Sequence, residues 1–270
     1  IENYRRGYCF VTEMRIEKSE IHLWQLEQAD FELSSLQSEC LTWLTETELK
    51  RFQRYQFDQH RKQLLLGRVL MRVALSSYDR SVAPASWNFT HNDYGKPAIS
   101  EEQNRTSLYF NLSHSAEKVV LAVSLFKDIG IDVECARKPR RIAAIAQRYF
   151  SKNEAAQLLN LPEDQQQSRF YDLWTLKEAY VKACGMGLAI PLQHFSYGFA
   201  GNDGLTIEFD AQRNDVEKAW QFWQLSAGSD FKLAVAAKAS EERVAHTLSL
   251  WRLTGLDRVI AQDVQVIRSK

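Results

Sequence analysis

The sequence predicts an α+β protein made of two halves, with the cleft between them as the natural place for a site. Its 270 residues correspond to roughly two compact units of about 150 residues each. Helical and strand patterns occur in both halves, which meet near residues 127–128. Apolar residues make up 45% of the chain, enough for a packed interior. We therefore divide the chain into residues 1–127 and residues 128–270.

The first half begins with a strand and continues with helices. Apolar residues at 21, 23, 24 and 26 indicate the strand, and Thr45 with Glu48 forms a capping box that opens a charged helix. Residues 60–78 have the apolar spacing of an amphipathic helix with a basic side. Turn residues at 92–97 lead into a sheet. Its predicted strands are 108–112, 119–126 and 129–134.

The second half is again helical before its last strands. Pro139 opens a short helix, Ser151 and Glu154 form a second capping box, and residues 164–184 form a long helix that ends at Gly185. Further strands are predicted over residues 205–209, 220–225, 232–237 and 248–253.

Charge and cysteine content exclude several classes of protein. The 34 basic and 34 acidic side chains balance, so no global field would draw the chain onto nucleic acid or an anionic membrane. The four cysteines form no CxxC pair, which argues against a zinc cluster and fits a reducing compartment. No apolar run has the length of a membrane span, and the first residues lack the apolar core of a signal peptide. We expect a cytoplasmic protein, trimmed upstream of Ile1.

The first candidate site is the segment Ile-Gly-Ile-Asp-Val-Glu at 129–134. In a strand, Gly130, Asp132 and Glu134 point to one face, so two carboxylates lie about 7 Å apart beside a residue without a side chain. Two hard oxygen ligands beside empty space suit Mg²⁺ or Mn²⁺. The alternative is an amphipathic strand with a solvated polar face.

The second candidate is the helical segment 174–182, Trp-Thr-Leu-Lys-Glu-Ala-Tyr-Val-Lys. Glu178 lies about 40° from Trp174 around the helix, at the edge of the apolar face. A half-buried carboxylate needs a cationic partner or a metal, and Lys182 lies one turn further on. The alternative is an ordinary i,i+4 Glu–Lys pair that stabilises the helix.

The third candidate is the segment Phe-Asn-Leu-Ser-His-Ser at 110–115. Ser113 and His114 point to opposite faces of a strand, so they cannot readily act as nucleophile and base, and a hydrolase is disfavoured. A hydroxyl, an imidazole and free backbone N–H groups at a strand end can instead hold a phosphate. The alternative is a strand-end histidine with satisfied hydrogen bonds.

The fourth candidate is the basic segment 45–72, which contains seven basic and three acidic residues. Together with Lys96 it could clamp a ligand with several phosphates, because guanidinium groups suit bidentate phosphate contacts. Such a run is otherwise a solvated face. A nucleic-acid-binding module using residues 50–72 is a further alternative, although the neutral charge and the lack of interleaved exposed aromatic residues argue against it.

The order of these motifs resembles that of the Sfp-type 4′-phosphopantetheinyl transferases. The chain has Tyr-Gly-Lys-Pro at 94–97, Asn-Leu-Ser-His-Ser at 111–115, Gly-Ile-Asp-Val-Glu at 130–134, Tyr-Phe-Ser at 149–151 with Glu154, and Trp-x-x-Lys-Glu-Ala-x-x-Lys at 174–182. The resemblance covers about residues 45–200, and the pairing of the third motif with the last is its most specific part.

This resemblance implies a monomer of two similar α/β halves in a pseudo-twofold arrangement, with coenzyme A and Mg²⁺ or Mn²⁺ bound between them. Such an enzyme transfers 4′-phosphopantetheine from coenzyme A to a serine of an apo acyl or peptidyl carrier protein and releases adenosine 3′,5′-bisphosphate. The first half would bind the coenzyme phosphates, and the second half would bind the metal and contact the carrier. Neither nucleic acid nor a membrane is implied as a partner. A catalytically inactive coenzyme A binding protein is the remaining alternative.

The resemblance also assigns roles to individual residues. The metal ligands would be Asp132, Glu134 and Glu178. The ligands of the coenzyme phosphates would be Lys96, Ser113, His114 and Lys182, with Arg51 and Arg54 near the 3′-phosphate.

Four residues are candidates for the chemical step. Glu178 is the first candidate base, with Glu154 or a water held by Glu134 as alternatives; Lys182 would stabilise developing charge, and Lys177 would orient the site. The sequence departs from the family where Glu48 and Leu64 replace basic or hydroxyl groups. The substitutes for the 3′-phosphate contact would be Arg61, Lys62 or Arg68.

Overall fold

The computed structural model describes residues 13–137, 140–201, 203–238 and 246–270. Predictions that involve Ile1, Cys9 and Pro139 therefore lie outside the described residues. Within the described ranges the chain forms six α-helices, thirteen strands and three sheets, which confirms the α+β class. No helix of this part of the chain combines the length and the apolar character that crossing a membrane requires.

The two halves repeat one order of elements: a strand, three helices of which the last is long, a short strand pair and a hairpin. The first half contains β1 (Glu20–Glu27), α1 (Leu33–Cys40), α2 (Glu46–Arg54), α3 (Asp58–Tyr78), β2 (Phe89–His91), β3 (Pro97–Ile99), β4 (Tyr109–Ser115) and β5 (Lys118–Ser124). The second half contains β6 (Ile129–Cys135), α4 (Ile142–Tyr149), α5 (Lys152–Leu159), α6 (Glu163–Cys184), β7 (Phe195–Ala200), β8 (Gly204–Phe209), β9 (Trp220–Ser226) and β10 (Phe231–Lys238).

Strand pairing shows the same repeat. The first sheet contains the order β1-β5-β4 and the second contains β6-β10-β9, with antiparallel pairing at each step. The first strand of each half therefore pairs with the last strand of its own hairpin. This equivalent strand order gives the two similar halves in pseudo-twofold arrangement that the family resemblance implies.

The C-terminal residues belong to both sheets. Strand β11 (Thr247–Leu253) pairs in parallel with β1, and β12 (Val259–Gln262) extends the same sheet. Strand β13 (Val266–Ser269) then returns to the second sheet, next to β9 and β8. The second half begins at β6, close to the predicted boundary, but residues 247–262 complete the sheet of the first half. The division at 127–128 stays a prediction about domains.

The predicted helix signals are present. In each capping box the side chain of Thr45 or Ser151 accepts from the backbone N–H three residues on, and the carboxylate of Glu48 or Glu154 accepts in return. Helix α6 ends at Gly185, whose φ of +69° lies in the left-handed region that favours glycine. These signals fix where α2, α5 and α6 begin or end.

Candidate active site

The site lies where β4, an edge strand of the first sheet, meets β6, an edge strand of the second sheet. Three side chains of β4 accept hydrogen bonds from backbone N–H groups of β6: Asn111 from Ile131 at 2.9 Å, Ser113 from Val133 at 3.3 Å and Ser115 from Cys135 at 3.0 Å. Alternate residues of a strand share one face, so this spacing presents three acceptors in a row. The segment 111–115 therefore joins the two halves and satisfies the free edge of β6.

Gly130 corrects one expectation. The sequence suggested that this glycine leaves empty space beside the two carboxylates, but helix α6 occupies that space. A Cβ at position 130 would lie 2.0 Å from the carbonyl oxygen of Ala179 and 2.5 Å from the amide nitrogen of Ala183. The glycine is needed because the backbone of α6 packs directly on β6, and this contact brings residues 178 and 182 to the acidic strand.

Asp132 lies at the centre of a hydrogen-bonded network. Its Oδ1 accepts from Ser113 Oγ at 2.9 Å and from Lys182 Nζ at 2.6 Å, and the same ammonium group donates to Ser113 Oγ at 2.8 Å. Asp132 is only 5% exposed, and its Oδ2 is buried without a hydrogen-bond partner among the described residues. One oxygen of this carboxylate is therefore satisfied and the other can accept a further ligand.

Glu134 and Glu178, the other two carboxyl groups of this region, both have raised pKa values. Burial and the charge of Asp132 raise the pKa of Glu134. Burial, followed by the charge of Asp132, raises the pKa of Glu178 to about 7, while Lys182 acts in the opposite direction. Two carboxyl groups whose pKa values are raised by burial and by a neighbouring carboxylate indicate a place where additional positive charge would be stabilising.

These residues fit a divalent cation. All three offer hard oxygen donors, one oxygen of Asp132 is buried without a partner among the described residues, and burial and the charge of Asp132 raise the pKa values of Glu134 and Glu178. Within the described residues no three acidic, histidine or cysteine side chains already surround one point. The side chains would therefore have to adjust on binding.

Without metal, Glu178 should make the protein less stable as the pH rises. Its pKa is about 7 in the folded state against 4.5 for an ordinary glutamate, so between these values the folded state holds a proton that the unfolded state has lost. Its contribution is most favourable below about pH 4.5, declines up to about pH 7 and stays low above. Glu178→Gln should therefore gain stability relative to wild type between about pH 5 and about pH 8, as measured by urea unfolding in EDTA. An identical pH response of both proteins contradicts the shift.

A cleft of about 320 Å³ opens beside this network and is lined by both halves. The turn at 94–97 and strand β4 line it from the first half, and Glu178 and Lys182 of α6 line it from the second. Lys96 Nζ donates to the carbonyl oxygens of Ile129 at 3.1 Å and Ala183 at 3.0 Å. Burial lowers the pKa of Lys96 to about 8. Lys96 thus ties the turn to the second half and brings a cation to the cleft wall.

The predicted phosphate ligands converge from several elements. His114 is exposed at the tip of β4, and its pKa is lowered because the ring is partly desolvated and because the charges of Lys182, Arg51 and Arg68 act on it. Arg51 and Arg54 are both exposed on α2. An imidazole whose charged neighbours are cations lies in a field that attracts anions.

Three arginines of the basic segment have carboxylate partners. The carboxylate of Glu48 is ion-paired with Arg68 at 2.5 Å and with the fully buried Arg72 at 2.7 Å. Arg61 is paired with Asp58 at 2.9 Å. The acidic residue at position 48, which departs from the family pattern, thus serves as the capping-box residue and as the partner of α3.

Glu154 and Lys177 lie together, but apart from the three carboxylates. Both are buried, with Lys177 Nζ 2.8 Å from Glu154 Oε2. Lys177 also donates to the carbonyl oxygens of Leu192 and Phe195, and Glu154 accepts from the amide of Tyr197. The structure therefore brings Lys182 and Glu178 to the acidic strand but places this pair in the interior of the second half.

Sequence reasoning missed two parts of the site. Asn111 and Ser115 support β6, a role that the alternation of polar residues at 111, 113 and 115 could have indicated. Arg140, whose guanidinium lies 3.4 Å from Glu134, belongs to no motif and had no signal in the sequence.

Fold and site together define a class of protein with two similar halves and, between them, a cleft lined by Glu178, Lys96 and Lys182. Residues 128–236 match the 4′-phosphopantetheinyl transferase superfamily, and residues 24–125 match the 4′-phosphopantetheinyl transferase N-terminal domain. The chain belongs to the 4′-phosphopantetheinyl transferase superfamily, and it is an enzyme of that class.

Individual relatives agree with this assignment. The chain is 37% identical to the 4′-phosphopantetheinyl transferase HetI of Nostoc sp. over 172 residues, 63% of this chain and 70% of that protein. It is 37% identical to a 4′-phosphopantetheinyl transferase of Bacillus subtilis, covering 67% and 75% of the two chains. It is 29% identical to the 4′-phosphopantetheinyl transferase Sfp of Bacillus subtilis strain 168, covering 75% and 90%. The comparisons support neither the nucleic-acid-binding nor the inactive alternative.

Proposed function

We propose that this enzyme moves 4′-phosphopantetheine from coenzyme A to a serine of apo acyl or peptidyl carrier proteins, with the reaction at the network of Asp132, Glu178 and Lys182. The observation that carries the proposal is the buried, half-satisfied carboxylate of Asp132, which contacts Lys182 in the wall of a cleft that Lys96 also lines. Action on carrier proteins with coenzyme A is general to the family. A monomeric state and a cytoplasmic location stay predictions.

Asp132, Glu134 and Glu178 would hold Mg²⁺ or Mn²⁺. When bound, the ion would act as a Lewis acid that offsets charge on the pyrophosphate oxygens. Lys182 would offset negative charge on the same oxygens, because its ammonium group already lies at the site, in contact with Asp132 and Ser113. Ser113 would hold the side chains of Lys182 and Asp132 in position, because its hydroxyl contacts both.

Glu178 is the residue best placed to accept the proton of the carrier serine. It faces the cleft, and a pKa of about 7 suits a general base near neutral pH. Both roles assigned to Glu178, base and metal ligand, require the ionised carboxylate. A bound cation would favour that form, because opposite charge lowers the pKa of a carboxyl group. The same lowering would make Glu178 a weaker base, so a water held by Glu134 is the alternative base in the metal-bound enzyme.

Removal of divalent cations should abolish transfer. An apo carrier protein incubated with the enzyme and coenzyme A should gain the mass of phosphopantetheine in Mg²⁺ or Mn²⁺ and none of it in EDTA. Mass spectrometry of the carrier measures this directly, and several apo carriers tested side by side also show which are accepted. Full modification in EDTA would exclude the proposed metal site.

Arg51 and Arg54 should recognise the 3′-phosphate of coenzyme A. Arg61 and Arg68 already have carboxylate partners, whereas Arg51 and Arg54 are exposed on α2 and the charge of Arg51 acts on His114. Wild type should bind coenzyme A about 10- to 150-fold more tightly than dephospho-coenzyme A, since a hydrogen bond to a charged group contributes about 1.5–3 kcal/mol. An Arg51→Ala, Arg54→Ala variant should lose this preference in calorimetry.

Lys50→Ala provides the matched control, because Lys50 lies on the same helix but pairs with Glu46 at 2.5 Å. It should keep the preference for coenzyme A. If the double variant also keeps it, the 3′-phosphate lies on Arg61, Lys62 or Arg68.

A further inference from the structure

Arg140 faces the acidic cluster from outside the motifs. It lies between β6 and α4, and its Nη2 is 3.4 Å from both carboxylate oxygens of Glu134. Its guanidinium also lies over two aromatic rings, 5.3 Å from the centroid of Tyr171 and 5.7 Å from that of Trp174. Arg140 is thus held between α6 and the carboxylate.

The contact with Glu134 is loose. Charge-assisted hydrogen bonds between nitrogen and oxygen are typically about 2.7–2.9 Å long, so 3.4 Å provides charge without a tight bond. Ser115 Oγ donates to Glu134 at the shorter distance of 3.0 Å. The aromatic rings can retain the guanidinium when it moves off the carboxylate, because cation–π contacts contribute independently of the ion pair.

Among the described residues, each member of the acidic pair on β6 is ion-paired with one cation. Lys182 contacts Asp132 at 2.6 Å through a network that includes Ser113, whereas Arg140 contacts Glu134 at 3.4 Å. An incoming divalent ion is repelled by both cations. Arg140 is the one that can be displaced with the smaller loss of bonding.

We propose that Arg140 competes with the divalent cation for Glu134 and so sets how tightly the transferase holds its metal. This inference rests on the proposed function, since it requires the metal site of Asp132, Glu134 and Glu178. Arg140 in this role keeps Glu134 compensated in the metal-free enzyme and yields the carboxylate when the metal binds.

Titration of free Mn²⁺ by electron paramagnetic resonance, with and without one equivalent of coenzyme A, tests the proposal. Arg140→Gln removes the charge and should bind Mn²⁺ about 3- to 10-fold more tightly than wild type. Arg140→Lys keeps the charge and should remain close to wild type. Arg137→Gln is the matched control, because Arg137 lies three positions before Arg140 in the sequence but is paired with Glu117 at 2.5 Å, and it should leave Mn²⁺ affinity unchanged.

Three results would overturn the inference while leaving the proposed function in place. Weaker Mn²⁺ binding by Arg140→Gln would show that Arg140 positions Glu134 for the metal. Unchanged Mn²⁺ binding would show that the two cations do not compete. Unchanged Mn²⁺ binding together with weaker coenzyme A binding in calorimetry would assign Arg140 to a phosphate. A wild-type protein that binds no Mn²⁺ under either condition would overturn both the inference and the metal site.

Discussion

Replacing Asp132 with asparagine should lower the rate of phosphopantetheine transfer about 1000-fold and leave the protein folded. Asparagine has the same shape and can still accept from Ser113 and Lys182, so the hydrogen bonds to Oδ1 survive. The negative charge and the unpartnered oxygen disappear, and with them the proposed ligand of the divalent cation. Transfer is measured by the mass of the carrier protein, and folding by thermal unfolding.

Asp128→Asn is the matched control for this change. Asp128 immediately precedes the same strand, and the change from aspartate to asparagine is the same. Its carboxylate is partly exposed and lies 3.9 Å from Lys238. It should retain transfer close to the wild-type rate. If Asp132→Asn keeps most of its activity, Asp132 does not hold the metal, whatever Asp128→Asn does.

Most of the secondary structure around the site could be predicted because its signals are local. The long helix predicted over 164–184 is observed at Glu163–Cys184, and the acidic strand predicted over 129–134 is observed at Ile129–Cys135. Periodicity and the capping residues fix these elements without knowledge of their neighbours. The elements that the sequence did not indicate include β2, β3, β12 and β13, each only three or four residues long.

Pairing between distant segments could not be predicted in the same way. The strand predicted over 248–253 is present, but its parallel pairing with β1 joins residues more than 220 positions apart. A local pattern shows which face of a strand is buried and does not identify the partner strand. The same limit explains why residues 247–262 were assigned to the second half alone.

The site shows how far residue type alone can lead. Strand alternation correctly places Asp132 and Glu134 on the face opposite Ile131, which is buried in the core. It does not show that α6 fills the space beside Gly130, because that contact depends on how a helix packs on the sheet. Nor does it show that the two capping-box glutamates bind cations from the long helices, which only the packed fold brings within reach.

Removing the charge of Lys177 should lower the free energy of unfolding by about 3–5 kcal/mol, the effect of breaking a buried ion pair by deleting one partner. The side chains of Lys177 and Glu154 are almost completely buried, and Lys177 Nζ contacts Glu154 at 2.8 Å. Lys177→Met keeps much of the volume but leaves an uncompensated carboxylate in the interior. Urea unfolding of wild type and Lys177→Met measures the loss.

A double-mutant cycle separates the ion pair from the remaining contacts of Lys177. Glu154→Gln alone leaves the lysine charge buried with two carbonyl oxygens, of Leu192 and Phe195, and should also destabilise the protein. The double variant should be more stable than the sum of the two single losses predicts, because neither charge is then left alone. Lys50→Met, which breaks the exposed pair with Glu46, should change stability by about 1 kcal/mol or less.

The same variants distinguish a structural role for this pair from the roles in the chemical step for which Glu154 and Lys177 are candidates. A structural role predicts that Lys177→Met, assayed well below its unfolding temperature, retains coenzyme A binding and much of the wild-type transfer rate. A variant as stable as Lys50→Met but unable to transfer phosphopantetheine would place Lys177 in the reaction instead. Loss of stability with retained transfer would show that the pair acts by holding α5 and α6 together, because Lys177 reaches from one helix to the capping box of the other.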